Sequence, residues 1–438
     1  MLKRYSTPEM ASIWFDKARF RNWVRVEVAV LRAKNIFSLT QIDVPENLVE
    51  MINIDPKAID RIELEKTGHD VKAFLEYTEP QLPAELQPHW HDGMTSYDTQ
   101  DTATCLTLVE SVQLLKSRLT ILWVTVYYLA IKYKYTPMIG RTHGIHAEPI
   151  TLGVKFANWY AELARHVASL EEMEKNVAVG KISGAVGMYT LDPGIEEEAC
   201  KILGLRPITA TQIIARDIFA RYVSLLAIIA GTIEKMAITV RTLQRTEIHE
   251  MQEFFRKGQT GSSAMPQKRN PIGSENISGM GRVMRGYAHM ANESIQTWDE
   301  RSIDNSGPER IYLPDASILL DYMLRRMDGI LKKIIIRPER MEQNIWLTKG
   351  LIFSQEITLL VVKKSGLPRE EAYGMVYEIA QSCWESGHSF FCALLNDQDL
   401  MERIDIDDLL PCFDLANKLK HVDHIFDMVF GKQNQLPF

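Results

Sequence analysis

The segment Gly261–Glu275, GSSAMPQKRNPIGSE, gathers hydroxyls, an ammonium, a guanidinium and a carboxamide among glycines and prolines. Glycine and proline at that density cannot continue a helix. A long loop is expected, and loops of this length are either functional or disordered. It is not a P-loop, since G-x-x-x-x-G-K-[ST] is absent. A second segment, Arg141–Pro149, RTHGIHAEP, sets His143 and His146 in an H-x-x-H spacing. That spacing can hold a metal, but the Glu of H-E-x-x-H is missing and only Glu148 stands near as a third ligand. His89 and His91 form an H-x-H pair without the strand context of a hydrolase barrel. For each histidine the alternative is a hydrogen-bonded, partly buried side chain.

Thr67–Asp70, TGHD, and His91–Asp101, HDGMTSYDTQD, are dense in small hydroxyls and histidine. Such groups suit a carboxylate, yet Thr95, Ser96 and Asp98 are equally the residues that cap helices. In Asp299–Arg310, DERSIDNSGPER, the arginines and serines can grip a phosphate through the planar guanidinium fork. The alternative there is a solvated loop with surface ion pairs.

These segments interrupt what reads as a helical protein. No proline lies between Pro88 and Pro137 or between Pro207 and Pro266. Because proline costs about 3 kcal/mol inside a helix, such windows permit very long ones. Val223–Val240 is apolar around most of its circumference, which marks a helix buried in a bundle or at a subunit interface. Cys105–Tyr133, Gly153–Glu174 and Ile311–Ile336 also read as long helices, and Arg337-Pro338-Glu339-Arg340 as a helix restart. Alternating segments at regular spacing are not found, so strands are not expected. The expected fold is all-α, with a helical domain at 1–95, a central long-helix bundle at 96–345 carrying the loop 261–275, and a C-terminal helical domain at 346–438.

The bulk composition narrows the function. The chain has 438 residues, with 50 Lys and Arg against 57 Asp and Glu, a net charge of −7. That balance argues against nucleic acid as a partner. A hydrophobic share of 46% and a charged share of 24% are those of a soluble globular protein. Five scattered cysteines with no C-x-x-C fit a reducing compartment. MLKRYSTPEM lacks a secretory h-region. The most apolar run, Leu119–Ile131, is shorter than the roughly 20 residues of a bilayer span. A cytoplasmic protein without a membrane partner is expected.

GSSAMPQKRNP resembles the signature loop of the fumarase/aspartase superfamily, whose lyases release fumarate. TGHDVKAF, HDGMTSYDTQDTA, RTHGIHAEP, TQIIARD, ERSIDNSGPERI and NIWLTKGLIFSQEITL resemble, in the same order, the adenylosuccinate lyase family. The resemblance covers essentially the whole chain. It implies a β-elimination in which a C–H proton leaves and a C–N bond breaks, with no metal and no cofactor. By resemblance Ser262 is the base, His143 the general acid, and His69 positions the substrate or assists. The resemblance places Thr95, Ser96 and Gln212 on the succinyl part, and Arg4, Tyr5, Arg301, Ser306 and Arg310 around the nucleotide. Gly68, Asp70, Ser263, Lys268, Arg269 and Asn270 complete the implied binding set. It also implies a homotetramer whose sites draw on three chains. Two positions depart from the family pattern: Gln267 stands where histidine is common in the loop, and Gly68 where a bulkier residue is common. Gly68 is expected to loosen His69.

Overall fold

The computed structural model describes residues 1–37, 43–259, 261–262 and 264–432. The protein is all-α, with three small two-stranded ribbons among the described residues. It divides into two compact units of interleaved segments. One comprises Met1–Thr120, Arg165–Lys235 and Asn276–Met327; the other comprises Ile121–Ala164, Met236–Glu275 and Asp328–Phe438.

In the first unit, helix α1 (Asp16–Ile36) buries Phe20, Trp23 and Val24 against α2 (Asp70–Thr78). Phe20, Trp23 and Phe74 meet edge to face at 5.1 and 5.3 Å. Burying a side chain of this size contributes about 1.5–3 kcal/mol. Helix α3 (Ser96–Lys132) follows, with Thr95 as its cap and Asp98 at its third position. The Asp98 carboxylate accepts the Thr95 backbone N–H at 2.8 Å. That bond is the returning half of a capping box. The helix is 37 residues long and begins nine residues before the expected Cys105. It stops where Thr136-Pro137 forces extended backbone.

In the second unit that extended backbone becomes β1 (Pro137–Thr142), which pairs antiparallel with β2 (Ile145–Thr151). The segment RTHGIHAEP is therefore a hairpin, against the expectation of no strands. Helix α4 (Leu152–Val177) starts directly after it. A short parallel ribbon in the first unit joins β3 (Val179–Gly180) to β4 (Arg206–Pro207). Helix α5 (Asp217–Leu243) is less uniformly buried than its composition suggests. Val223, Leu226, Ile229, Ile233, Met236 and Val240 are fully buried, but Ile228 and Ile238 are 60% and 46% exposed. Both α3 and α5 are long and apolar enough, by length and composition, to cross a membrane.

β5 (Met251–Gln252) precedes the loop, and α6 (Ile272–Glu293) follows it. Helix α7 (Ser306–Leu331) continues past an internal proline, Pro314. It ends earlier than expected because Ile335–Ile336 form β6, paired with β5. Pro338 then opens α8 (Pro338–Ile345) at its first turn, as the sequence implies. The C-terminal helices close their own core around Ile357, Val361, Phe390 and Leu394. The acidic run at Asp405–Asp408 is a capping box.

Candidate active site

In the first unit, His69 caps α2 with its ring. Its Nδ1 accepts the backbone N–H of Val71 at 3.2 Å and of Lys72 at 3.5 Å. A ring nitrogen that accepts carries no proton, so the neutral imidazole holds its proton on Nε2. Nε2 lies 3.4 Å from the Ser96 hydroxyl and donates to it. His69 thus has one nitrogen fixed to the backbone and a donor directed at a neighbouring hydroxyl. Gly68 sits at φ +57°, the left-handed region, with no atom within 4 Å of where a Cβ would be. A larger residue would fit but would be strained. Glycine relaxes the turn, while the His69 ring accepts the N–H of Lys72 and shares that of Val71 with Asp70.

Next to it, the Asp70 carboxylate accepts the Val71 N–H at 2.8 Å and Gln100 at 3.1 and 3.2 Å. It also holds the half-exposed Arg310 guanidinium at 2.6 Å. Arg310 and Ser306, one turn apart on α7, line a cavity of about 390 Å³ together with Trp14, Arg19 and Glu309. Glu309 shares the Arg216 guanidinium with Asp101: Arg216 donates to Asp101 at 2.6 and 3.0 Å and to Glu309 at 2.8 and 3.2 Å. One cation cannot neutralise two buried carboxylates. Burial accordingly pushes Glu309 up to about 7, against the pull of Arg216.

Thr95 and Gln212 are tied together by a fully buried pair that the sequence does not reveal. Lys181 Nζ lies 2.6 Å from Asp98, which caps Thr95, and donates to the Gln212 carbonyl at 2.9 Å and the Gly184 carbonyl at 3.1 Å. The Arg301 guanidinium stacks on the Tyr97 ring at 4.1 Å. Tyr5 meets Tyr322 edge to face at 5.4 Å. Among the described residues no hydrogen bond joins Arg4 or Tyr5 to Arg301, Ser306 or Arg310. His91, absent from the expected set, has a left-handed backbone at φ 60° and a ring 2.8 Å from Glu27.

In the second unit His143 stands at the tip of the hairpin. His143 (φ 53°) and Gly144 (φ 83°) are the two central residues of its turn, both left-handed as a type I′ turn requires. Histidine tolerates that region better than most residues with a Cβ. The imidazole is exposed. Below it, Arg141 donates twice to the fully buried Glu250, at 2.7 and 3.1 Å, and Asn344 donates to the same carboxylate at 2.7 Å. His146 lies opposite Arg141 in the hairpin; its Nδ1 is buried without a partner, and burial holds the ring below its ordinary pKa.

The loop is irregular, as expected, and is pinned at both ends. Asn270 donates to the Gly261 carbonyl at 2.9 Å, closing the loop at its base. A Cβ on Gly261 would meet the Lys268 carbonyl at 2.2 Å, so only glycine allows that approach. Glu253 accepts the N–H groups of Gly273 and Ser274 at the start of α6, at 3.1 and 2.6 Å. Gln244 accepts the Glu253 N–H at 2.9 Å and donates to the Arg269 carbonyl at 2.8 Å, a strut between α5 and the loop. The Ser262 oxygen accepts two backbone N–H groups, from Ala264 at 3.2 Å and Met265 at 3.1 Å. These bonds shape the turn, and they also place positive dipoles where a serine oxygen would carry negative charge. Ser263 lies outside the described residues. Lys268 and Arg269 are exposed.

The structure thus brings together His69 with Ser96 and Asp70 with Arg310, and it links Thr95 to Gln212. The loop residues and His143 belong to the other unit. Asp98 fills the capping role the sequence offered for it, whereas Lys181, Gln244 and Glu250 were missed; they act on neighbours rather than forming a motif.

Comparison with known proteins bears on both units. A family model described as "Lyase" matches residues 7–286, and one described as "Adenylosuccinate lyase C-terminus" matches residues 350–429. The chain is 43% identical to the adenylosuccinate lyase of Thermotoga maritima over 98% of its own length and 99% of that protein's. It is likewise 43% identical to that of Bacillus subtilis, with the same coverage. Among solved structures, a fumarate lyase from Mesorhizobium superposes with a TM-score of 0.87 at 24% identity, covering 98% of each chain. A 3-carboxy-cis,cis-muconate lactonizing enzyme from Pseudomonas putida does so with 0.87 at 25%, again covering 98% of each.

Proposed function

The chain belongs to the adenylosuccinate lyase family, and from that premise we propose that it removes fumarate from adenylosuccinate, leaving AMP. The same β-elimination on succinylaminoimidazole-carboxamide ribotide leaves the carboxamide ribotide. The observation that carries this reading is the 43% identity to two adenylosuccinate lyases from end to end of the chain.

The proposed chemistry has two difficulties. The C–H proton is weakly acidic, and its removal puts charge on the adjacent carboxylate. Lys268, Asn270 and backbone N–H groups of the loop donate to those oxygens. Ser262 takes the proton as its alkoxide, the anion that the N–H groups of Ala264 and Met265 stabilise, and is left as the neutral hydroxyl. The second difficulty is the leaving nitrogen, which needs a proton. His143, exposed on its turn, supplies it, in the role histidine fills near neutral pH. His69 positions the succinyl group through its Nε2–H, with Thr95, Ser96 and Gln212 around it. Arg4, Tyr5, Arg301, Ser306 and Arg310 hold the nucleotide, with Arg310 oriented by Asp70. The loop closes over the substrate and excludes water. No metal or cofactor enters these steps.

The chain works in the cytoplasm as a homotetramer, each site drawing residues from three copies. The exposed Ile228 and Ile238 on α5 and Tyr128 on α3 support association. Other copies, rather than lipid, cover these faces, because the charged Lys235 is exposed on α5 together with Ile228 and Ile238. The direct test is purified protein with adenylosuccinate, followed by ultraviolet absorbance and by assay of AMP and fumarate. Turnover of argininosuccinate instead would overturn the reading.

A further inference from the structure

A cavity in the second unit is lined by none of the residues assigned above to catalysis or substrate binding. Its volume is about 680 Å³, a size usual for small-molecule sites. Gly144 and the first half of β2 form one wall. The turn at Leu347–Lys349 and the start of α9 (Ser354–Ser365) form a second, and the end of α10 (Arg369–Ser386) with Gly387 and His388 a third. Lys418 ties the first two walls together, holding Glu148 at 3.2 Å and Glu356 of α9 at 2.5 Å.

The lining combines apolar surface with uncharged polar groups. Ile145, Leu347, Ile352 and Cys383 contribute to it, and Trp384, 63% exposed, adds an indole. The side chains of His146, Thr348, Ser354, Gln355 and His388 hydrogen-bond to no other described residue. Water in an open crevice satisfies Ser354, Gln355 and His388. It does not account for Thr348 Oγ1 and His146 Nδ1, which are buried without a partner, since buried polar atoms ordinarily find one. Side-chain rotation alone exchanges the threonine hydroxyl with its methyl and the ring nitrogen with a ring carbon. With its pKa lowered by burial, the His146 ring is neutral above pH 7, so one nitrogen donates and the other accepts. Apart from the histidines, Lys349 and Glu148 are the charged lining residues. The Lys349 ammonium is given to the Gly387 carbonyl and Glu148 to Lys418. No cation is left over for a phosphate or a carboxylate.

We propose that this cavity binds a neutral, flat heteroaromatic molecule that carries both a donor and an acceptor on its ring edge. The ring stacks on Trp384 among the aliphatic side chains, and its edge meets the Thr348 hydroxyl and the His146 imidazole. Three features select that class: an indole for stacking, neutral groups able to donate and accept, and no unpaired charge.

The test uses the intact protein and calorimetry at pH 7.5. Benzimidazole, flat and neutral with both edge functions, should bind once per chain with a Kd below about 1 mM. Indole, which lacks the acceptor, should bind at least about threefold more weakly, and benzoate, which is anionic, at least about tenfold more weakly. Trp384→Ala should weaken benzimidazole at least about fivefold, the loss of a stacking partner. Thr348→Val should weaken it at least about threefold without lowering the melting temperature, because it removes a hydroxyl that has no partner. Benzimidazole should also quench tryptophan fluorescence in the parent and not in Trp384→Phe, where a ring still stacks and calorimetric binding persists. Absence of saturable binding, or affinity unchanged in both Trp384→Ala and Thr348→Val, overturns the site. Benzoate binding as tightly as benzimidazole overturns the chemical class. Saturating AMP should leave the benzimidazole affinity within about twofold, and displacement by AMP would make the cavity part of the nucleotide site. Calorimetry decides the question even if the protein does not turn over adenylosuccinate, which separates this inference from the proposed reaction.

Discussion

Ser262 and His143 occupy backbone positions that dictate how they can be tested. General acid–base groups contribute about 10²–10⁴-fold each, so losing either should cost that much in kcat with little change in substrate affinity. Ser262→Ala removes two turn hydrogen bonds as well as the base. Its melting temperature must be measured beside its single-turnover rate, and near-normal turnover with an intact fold would remove serine from the mechanism. For His143, alanine would add strain at φ 53°. Asparagine tolerates that region, so His143→Asn isolates the loss of the imidazole. Arg310→Ala should show the reverse pattern, weakened binding with kcat largely kept, because a phosphate grip is shared by ground and transition states. At Gly68, a change to Ala meets no atom and should cost about 1 kcal/mol through backbone strain alone. A larger loss on thermal unfolding would mean that the turn does more than orient His69.

Among the elements, those governed by long apolar periodicity were readable from the sequence, and those made by a few residues were not. The expected helix Gly153–Glu174 is found as Leu152–Val177, and Pro338 opens a helix where the proline placed one. The hairpin under His143 was missed because an isolated ribbon produces no recurring alternation. Its local signal was the His143-Gly144 pair, read only as part of a histidine motif. Ile336 was given to a helix because nothing local announces pairing with Met251. Lys181 is the sharpest case, since a fully buried lysine looks in sequence like any surface lysine. Replacing it by methionine strands Asp98, and breaking a buried pair in this way typically costs about 3–5 kcal/mol. Lys181→Met should therefore lower the urea midpoint strongly and disturb Thr95 and Gln212. A variant as stable as the parent would show that Asp98 finds another partner.

At the scale of the molecule, the proposed sharing of sites between copies has a direct test. His143→Asn and Ser262→Ala proteins, each inactive, should regain part of the activity when mixed under subunit exchange. No recovery despite demonstrated exchange would assign both groups to one chain. The buried cluster of Arg216, Asp101 and Glu309 makes a separate prediction about pH. Glu309 titrates at about 7 in the folded protein, above its ordinary 4.5. A raised value means that the stability linked to its proton is fully present below 4.5 and is lost as pH rises through 7. The loss amounts to about 3 kcal/mol at most. In Glu309→Gln the fall in stability between about pH 5 and 8 should be shallower than in the parent; parallel curves would place the charge elsewhere.

The interleaving of the two units reaches back to how the chain is made. The first unit needs Asn276–Met327, which leaves the ribosome only after Met236–Glu275, a segment of the second unit, has been synthesised. Neither unit exists as one contiguous stretch, so an N-terminal fragment ending at Thr120 holds α1 and α2 without most of their later partners. Synthesis at about 5–20 residues per second leaves such nascent chains with apolar surface uncovered for many seconds. Folding is therefore deferred until most of the chain has emerged. A stop codon or proteolytic cut anywhere before α7 should leave material for chaperones and proteases rather than a smaller stable protein.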